Sequence, residues 1–139
     1  MQQLARRYAP SLLGVGLVLC ALSGCGTNRS QLDILPNEAK ARVALEQALA
    51  AWKNGQKCGL IQDVSPKIQV MDAVWQAGDK LTAFEILQAE DKPGPRWFAV
   101  KLTLESSAEP QQVRYAVLGL DPLWVYREED YRKACGMGE

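Results

Sequence analysis

Apolar residues recur along the chain in two periods, and the switch between them divides the folded part. From residue 37 to residue 55 the spacing is helical. Ala41, Leu45, Ala48, Leu49 and Trp52 fall on one stripe, while Lys40, Glu46, Gln47 and Lys53 face away. Asn37 is placed to cap the first turn, with Glu38 beside it to meet the helix dipole, and Asn54-Gly55 closes the helix. The alanines keep the stripe slim, so a sheet can approach closely.

Residues 56–67 lack a period and read as an irregular connection containing Cys58 and Ser65-Pro66. Beyond them the spacing is that of strands: 68–76, 81–90, 96–106, 111–120 and a short 123–127. Breaker-rich turns separate these runs, among them Ala77-Gly78-Asp79, Asp91-Lys92-Pro93-Gly94-Pro95 and Asp121-Pro122. The cleanest alternation is in 96–106, where Phe98, Val100, Leu102 and Leu104 point one way and Trp97, Lys101, Thr103 and Glu105 the other. In 111–120 the inward set is Val113, Tyr115 and Val117. A run of consecutive strands must bury one face, and one helix is available to cover it. The expected fold is α+β, one N-terminal helix packed on a curved four- to five-stranded antiparallel sheet.

The segment before the helix has a different character. Arg6 and Arg7 precede an apolar run of 12 residues, Ser11–Leu22, and no acidic residue occurs before Asp33. That run suits the core of a signal peptide and is too short for a helix to span about 30 Å of hydrocarbon. Leu22-Ser23-Gly24-Cys25 follows and resembles the lipobox of bacterial lipoproteins at all four positions. The resemblance implies cleavage before Cys25, lipid on that cysteine, and a location in the bacterial cell envelope. Gly26 stands where some lipoproteins carry an inner-membrane retention Asp, so the outer membrane, on its periplasmic face, is the expected destination. The implied organisation is a signal peptide (1–24), a lipidated N-terminus and tether (25–36) and the α+β domain (37–139). The polar stretch 26–35 reaches about 35 Å at most, which keeps the domain near the membrane.

Removing Arg6 and Arg7 from 16 basic residues leaves 14 against 16 acidic ones, scattered without a basic face, so no nucleic-acid partner is expected. The chain has no histidine, which excludes Ser-His and Cys-His catalysis and His-ligated metal sites. No cofactor is expected. Cys20 leaves with the signal peptide and Cys25 takes lipid. Cys58 and Cys135 remain as an even pair in an oxidising compartment, and a disulfide between them is expected, contributing about 4 kcal/mol in the chain-entropy model.

Element order over about residues 37–128 resembles the cystatin-like and NTF2-like families, where an antiparallel sheet curls around an N-terminal helix. The stretch Ala51-Trp52-Lys53-x-Gly55, then Trp75-x-x-Gly78-x-x-Leu81-x-x-Phe84-Glu85, is similar to small exported bacterial proteins of unknown function. Larger NTF2-like members have two or three helices, so a deep closed pocket is not expected here.

Candidate site residues carry alternatives. Asp72 interrupts the series Ile68, Val70, Val74, and on that parity it is a carboxylate in an apolar wall, suited to acid–base chemistry as in the ketosteroid isomerase-like members. On the other parity Met71, Ala73 and Trp75 form the core and Asp72 meets water, which is the favoured assignment. Glu85 is expected to be exposed and Tyr115 to be a core tyrosine. Trp52 is expected in the core, and Trp97 either marks a contact patch or packs under the tail. Trp124 beside Tyr126 suggests an edge strand able to pair with a partner. Glu128-Glu129-Asp130 reads as a solvated acidic turn with too few ligands for calcium. No catalytic constellation emerges. The leading expectation is a non-catalytic lipoprotein that contacts the membrane through Cys25 and a protein partner through Trp97, Trp124 and Tyr126. Behind it stand a small-ligand module using the hollow of the sheet, then an isomerase or hydrolase built on Asp72.

Overall fold

The computed structural model describes residues 34–137; the expected signal peptide, the lipobox with Cys25 and the tether up to residue 33 lie outside the described residues. The expected helix forms as α1, Glu38–Lys53. Asn37 caps it, its side-chain oxygen accepting from the Lys40 N–H at 2.8 Å. Gly55 ends it at φ 84°, a left-handed conformation that glycine adopts without steric cost. All five stripe residues are buried, joined by Ala44 and Ala51.

The remaining elements are β1 (Leu60–Ile61), β2 (Ile68–Met71), α2 (Ala73–Gln76), β3 (Leu81–Glu90), β4 (Arg96–Leu104), β5 (Gln111–Leu118), β6 (Leu123–Arg127) and α3 (Glu128–Ala134). The protein is α+β, with α1 packed against an open six-stranded sheet in the order β1-β2-β6-β5-β4-β3. Strands β3 to β6 form the expected antiparallel meander.

Three expectations change. The predicted strand 68–76 divides at Asp72, whose carboxylate caps α2 by accepting from the N–H groups of Val74 (3.0 Å) and Trp75 (3.1 Å). Strand β2 does not join the meander beside β3. It pairs in parallel with β6, Ile68 opposite Leu123 and Val70 opposite Val125, while the chain crosses through α2 to the far edge. Finally, Leu60–Ile61 within the irregular connection adds a sixth, two-residue strand antiparallel to β2.

The core lies between α1 and one sheet face. Leu45 and Leu49 from the helix share it with Ile68, Val70, Phe98, Val100, Leu102, Tyr115, Val117 and Val125. Trp52 and Trp75 stack at 5.3 Å between centroids, and their indole N–H groups donate to the carbonyls of Asp79 and Gln56, both at 2.8 Å. Thus α2 is tied to the C-terminal end of α1. Among the described residues no helix is long and apolar enough to cross a membrane.

Candidate functional site

The sheet face opposite α1 gathers the aromatic residues singled out from the sequence. Cross-strand register sets Trp97 of β4 opposite Ala116 of β5, Ala116 opposite Tyr126 of β6, and Tyr126 opposite Met71 of β2. Trp124 lies two residues before Tyr126 on the same face, and the two rings stack at 5.8 Å. The small side chain of Ala116 leaves a gap between Trp97 and Tyr126. Tyr131 of α3 fills it, edge-on to Trp97 at 5.3 Å and to Tyr126 at 5.8 Å. All four rings are half-buried, while Ala116 beneath them is fully covered. Burial pushes the Tyr126 and Tyr131 phenols above the usual tyrosine range, with the neighbouring Cys135 acting in the same direction.

A charged rim borders this row. Arg114 donates to both carboxylate oxygens of Glu128, with Nε to Oε2 at 2.7 Å, and its Nη1 lies 3.4 Å from Glu90. Arg132 meets Glu128 at 2.7 Å and Lys92 meets Glu90 at 2.8 Å, with the Lys92 ammonium 5.8 Å from the Trp97 ring centre. The hydrogen bonds from Arg114 hold the Glu128 carboxyl below the usual carboxylate range.

Several site expectations resolve here. Trp97 packs under the C-terminal segment, and Trp52 and Tyr115 are core. Glu85 is exposed, opposite Lys101. The edge-strand reading of Trp124 and Tyr126 is corrected, because β6 lies inside the sheet between β2 and β5 and the true edges are β1 and β3. Glu128-Glu129-Asp130 is not a solvated turn. It begins α3, where acidic side chains complement the dipole, and Asp130 accepts from the Ala73 N–H at 2.9 Å. Among the described residues no group of three or more Cys, Asp or Glu is gathered to hold a metal. Sequence reasoning misses Tyr131. The signal for it is three acidic residues followed by Arg132-Lys133, the charge order of a short helix.

The favoured placement of Asp72 is also overturned. Met71 is 41% exposed and Ala73 is exposed, while Asp72 is only 2% exposed. Capping α2 turns the chain and ends the alternation that would place Asp72 in water. Its Oδ2 accepts from the Tyr115 hydroxyl at 2.5 Å, and Arg127 Nη1 lies 3.9 Å from Oδ1. Arg127, 7% exposed, also donates to Glu129 and Gln111, but its Nη1 has no hydrogen-bond partner. Burial, then the Asp72 charge, pushes the Tyr115 phenol well above the ordinary tyrosine range.

Cys58 and Cys135 are both free thiols, so the expected disulfide is corrected. The Cys58 sulfur turns toward the carbonyls of Val70 (3.6 Å) and Asp72 (3.7 Å), where burial raises its pKa. Cys135 is exposed at the end of α3.

Two large open grooves flank α1, of about 450 Å³ beside Trp52 and Trp75 and about 470 Å³ beside its N-terminal half; Asp72 lines neither. Comparison with family models, curated proteins and solved structures found no match.

Proposed function

We propose that this chain is a lipid-anchored, non-catalytic module of the bacterial cell envelope, at the periplasmic face of the outer membrane, that docks a protein partner through its aromatic sheet face. The observation that carries the docking half is the assembly of Trp97, Trp124, Tyr126 and Tyr131 into one half-buried row beside Arg114. Trp, Tyr and Arg are the residue types that dominate interface energetics, because each combines a large contact area with a directed polar group. The anchoring half rests on Leu22-Ser23-Gly24-Cys25. Kinship with cystatin-like and NTF2-like folds belongs to the same proposal. The helix-first order supports it, and the parallel β2–β6 pair departs from a simple antiparallel sheet.

Weighing against the small-ligand alternative, Leu45, Leu49, Phe98 and Tyr115 fill the space between α1 and the sheet. Weighing against chemistry on Asp72, both its oxygens are engaged and neither groove reaches it.

The test is photo-crosslinking in cells making the full chain, with a photoreactive residue in place of Gln69, beside Trp124, or of Glu46 on the outer side of α1. A discrete adduct from position 69, lost on Trp124→Ala and absent from position 46, is the expected result. Equal labelling from both positions, or none, sinks the docking proposal. Separately, Cys25→Ser is expected to move the chain from the membrane pellet to the soluble periplasm; retention in the pellet refutes the anchor.

A further inference from the structure

We infer that the groove beside the N-terminal half of α1 is a membrane-contact site, holding the domain against the lipid surface with the aromatic face turned away. This rests on the lipid anchor proposed above.

Helix α1 carries a second row besides its core stripe. Ala39, Val43 and Gln47 recur at intervals of four, with Lys40 alongside, and they face a groove of about 470 Å³ instead of the sheet. The opposite wall is Pro66, Leu120 and Leu123. Val43 is 52% exposed and Leu120 54%, and Ile34, 46% exposed, stands at the same end, where its carbonyl accepts from the Gly119 N–H at 2.9 Å. Single exposed aliphatics are ordinary, but Val43 and Leu120 facing each other across one groove, with Ile34 at its end, call for an occupant.

Chain length identifies it. Ile34 is nine residues beyond Cys25, so a lipid on that cysteine lies within about 30 Å of the groove even with the chain extended. The joining point is clamped, since Arg96 Nε donates to the Pro36 carbonyl at 2.9 Å and Gly119 holds Ile34. The lipid anchor is therefore joined to the domain at this end. An acyl anchor limits distance but leaves orientation free. Aliphatic side chains entering the interfacial layer, with Lys40 extending its ammonium toward lipid phosphates, would fix the orientation. The groove opens on the α1 side of the sheet, so contact there leaves Trp124 and Tyr126 facing the periplasm.

The experiment reconstitutes the full lipidated chain into vesicles of phosphatidylethanolamine and phosphatidylglycerol, some brominated on their acyl chains. A genetically encoded environment-sensitive fluorophore replaces Val43 or, separately, Lys101 on the far face. Quenching several-fold stronger at 43 than at 101, relieved by Leu120→Glu while the chain still floats with the vesicles, is the expected result. Floating vesicles with equal quenching at both positions, or with none, overturn the inference and leave the anchor intact. A chain that does not float refutes the anchor and this inference with it. A concentration-dependent change at position 43 in detergent alone overturns it in favour of a second copy of the chain as occupant.

Discussion

The two faces of the sheet are covered by different means. On one, a 16-residue helix lays alanines and leucines against aliphatic strands, and its stripe is dry. On the other, a seven-residue helix with no buried residue is held by Tyr131, by ion pairs through Glu128 and by Asp130 on the Ala73 N–H. Hydrophobic burial scales with area, whereas half-exposed ion pairs are screened by water. The first face should therefore carry most of the stability, and the second most of the freedom to rearrange.

The sharpest way to break the comparison is to truncate one ring on each side. Phe98, fully buried under α1, is expected to cost about 3–5 kcal/mol on replacement by alanine, the usual range for a phenylalanine cavity. Trp124→Ala on the half-buried face should cost about 1 kcal/mol, close to the value of an aromatic pair. Urea denaturation of the detergent-solubilised chain measures both. Equal losses would mean that the outer face is as structural as the inner.

A comparable effect is expected at the buried carboxylate on the inner face. Asp72 links α2 to Tyr115 on β5 and to Arg127 on β6, so Asp72→Ala leaves a buried hydroxyl unpaired, takes the buried carboxylate from beside Arg127 and leaves α2 without its cap. The expected loss is about 3–5 kcal/mol. Asp72→Asn, which retains a capping oxygen, should lose distinctly less. If the two variants melted together, the carboxylate charge would matter and the cap would not.

Tyr115→Phe is the milder break, expected to cost about 1–3 kcal/mol by leaving Oδ2 of Asp72 unpaired. It also has a pH signature. The folded-state pKa of Tyr115 is raised, so the unfolded chain releases this proton first. Stability from this group is complete below the ordinary tyrosine value of about 10 and is lost as pH rises above it. Thermal melts between neutral pH and pH about 11 should show a smaller alkaline decline in Tyr115→Phe than in the parent chain.

The contrast between the faces is only half legible in the sequence. Helix α1 and the inward rows of β4 and β5 repeat locally, and a local period records which side is buried. The parallel pairing of β2 with β6 joins residues more than fifty apart, and nothing local in Ile68-Gln69-Val70-Met71 names Val125 as a neighbour. Asp72 defeats a parity argument because one capping carboxylate converts a strand into a turn of helix and reverses the parity of the residues after it. At the aromatic face, Trp97, Trp124 and Tyr126 are recognisable as outward residues, but their assembly depends on strand order and on Ala116 leaving room for Tyr131. Val43 and Leu120 sit outside the core-facing stripes, and being apolar and off those stripes is their one signal.

The smallest effect bears most directly on how the outer face works. Arg114 donates to Glu128 and Glu90 together, and about a third of its side chain is exposed, so Arg114→Ala should lower global stability by less than about 1 kcal/mol. It should nevertheless loosen α3 selectively, because α3 buries no residue of its own to replace the lost ion pair. Hydrogen exchange is expected to accelerate at the amides of 131–134 while those of α1 stay protected. The same pairing predicts acid sensitivity. The folded-state pKa of Glu128 is lowered, so its contribution is present above the ordinary glutamate value of about 4.3 and is lost as pH falls through the lower folded value. Faster exchange in α3 on acidification, after correction for intrinsic rates, should therefore appear in the parent chain and be smaller in Arg114→Ala, where Arg132 still pairs with Glu128. If α3 exchanged together with α1 in both proteins, the two covers would be one cooperative unit, and the outer face would lack the independent mobility that separates it from the inner.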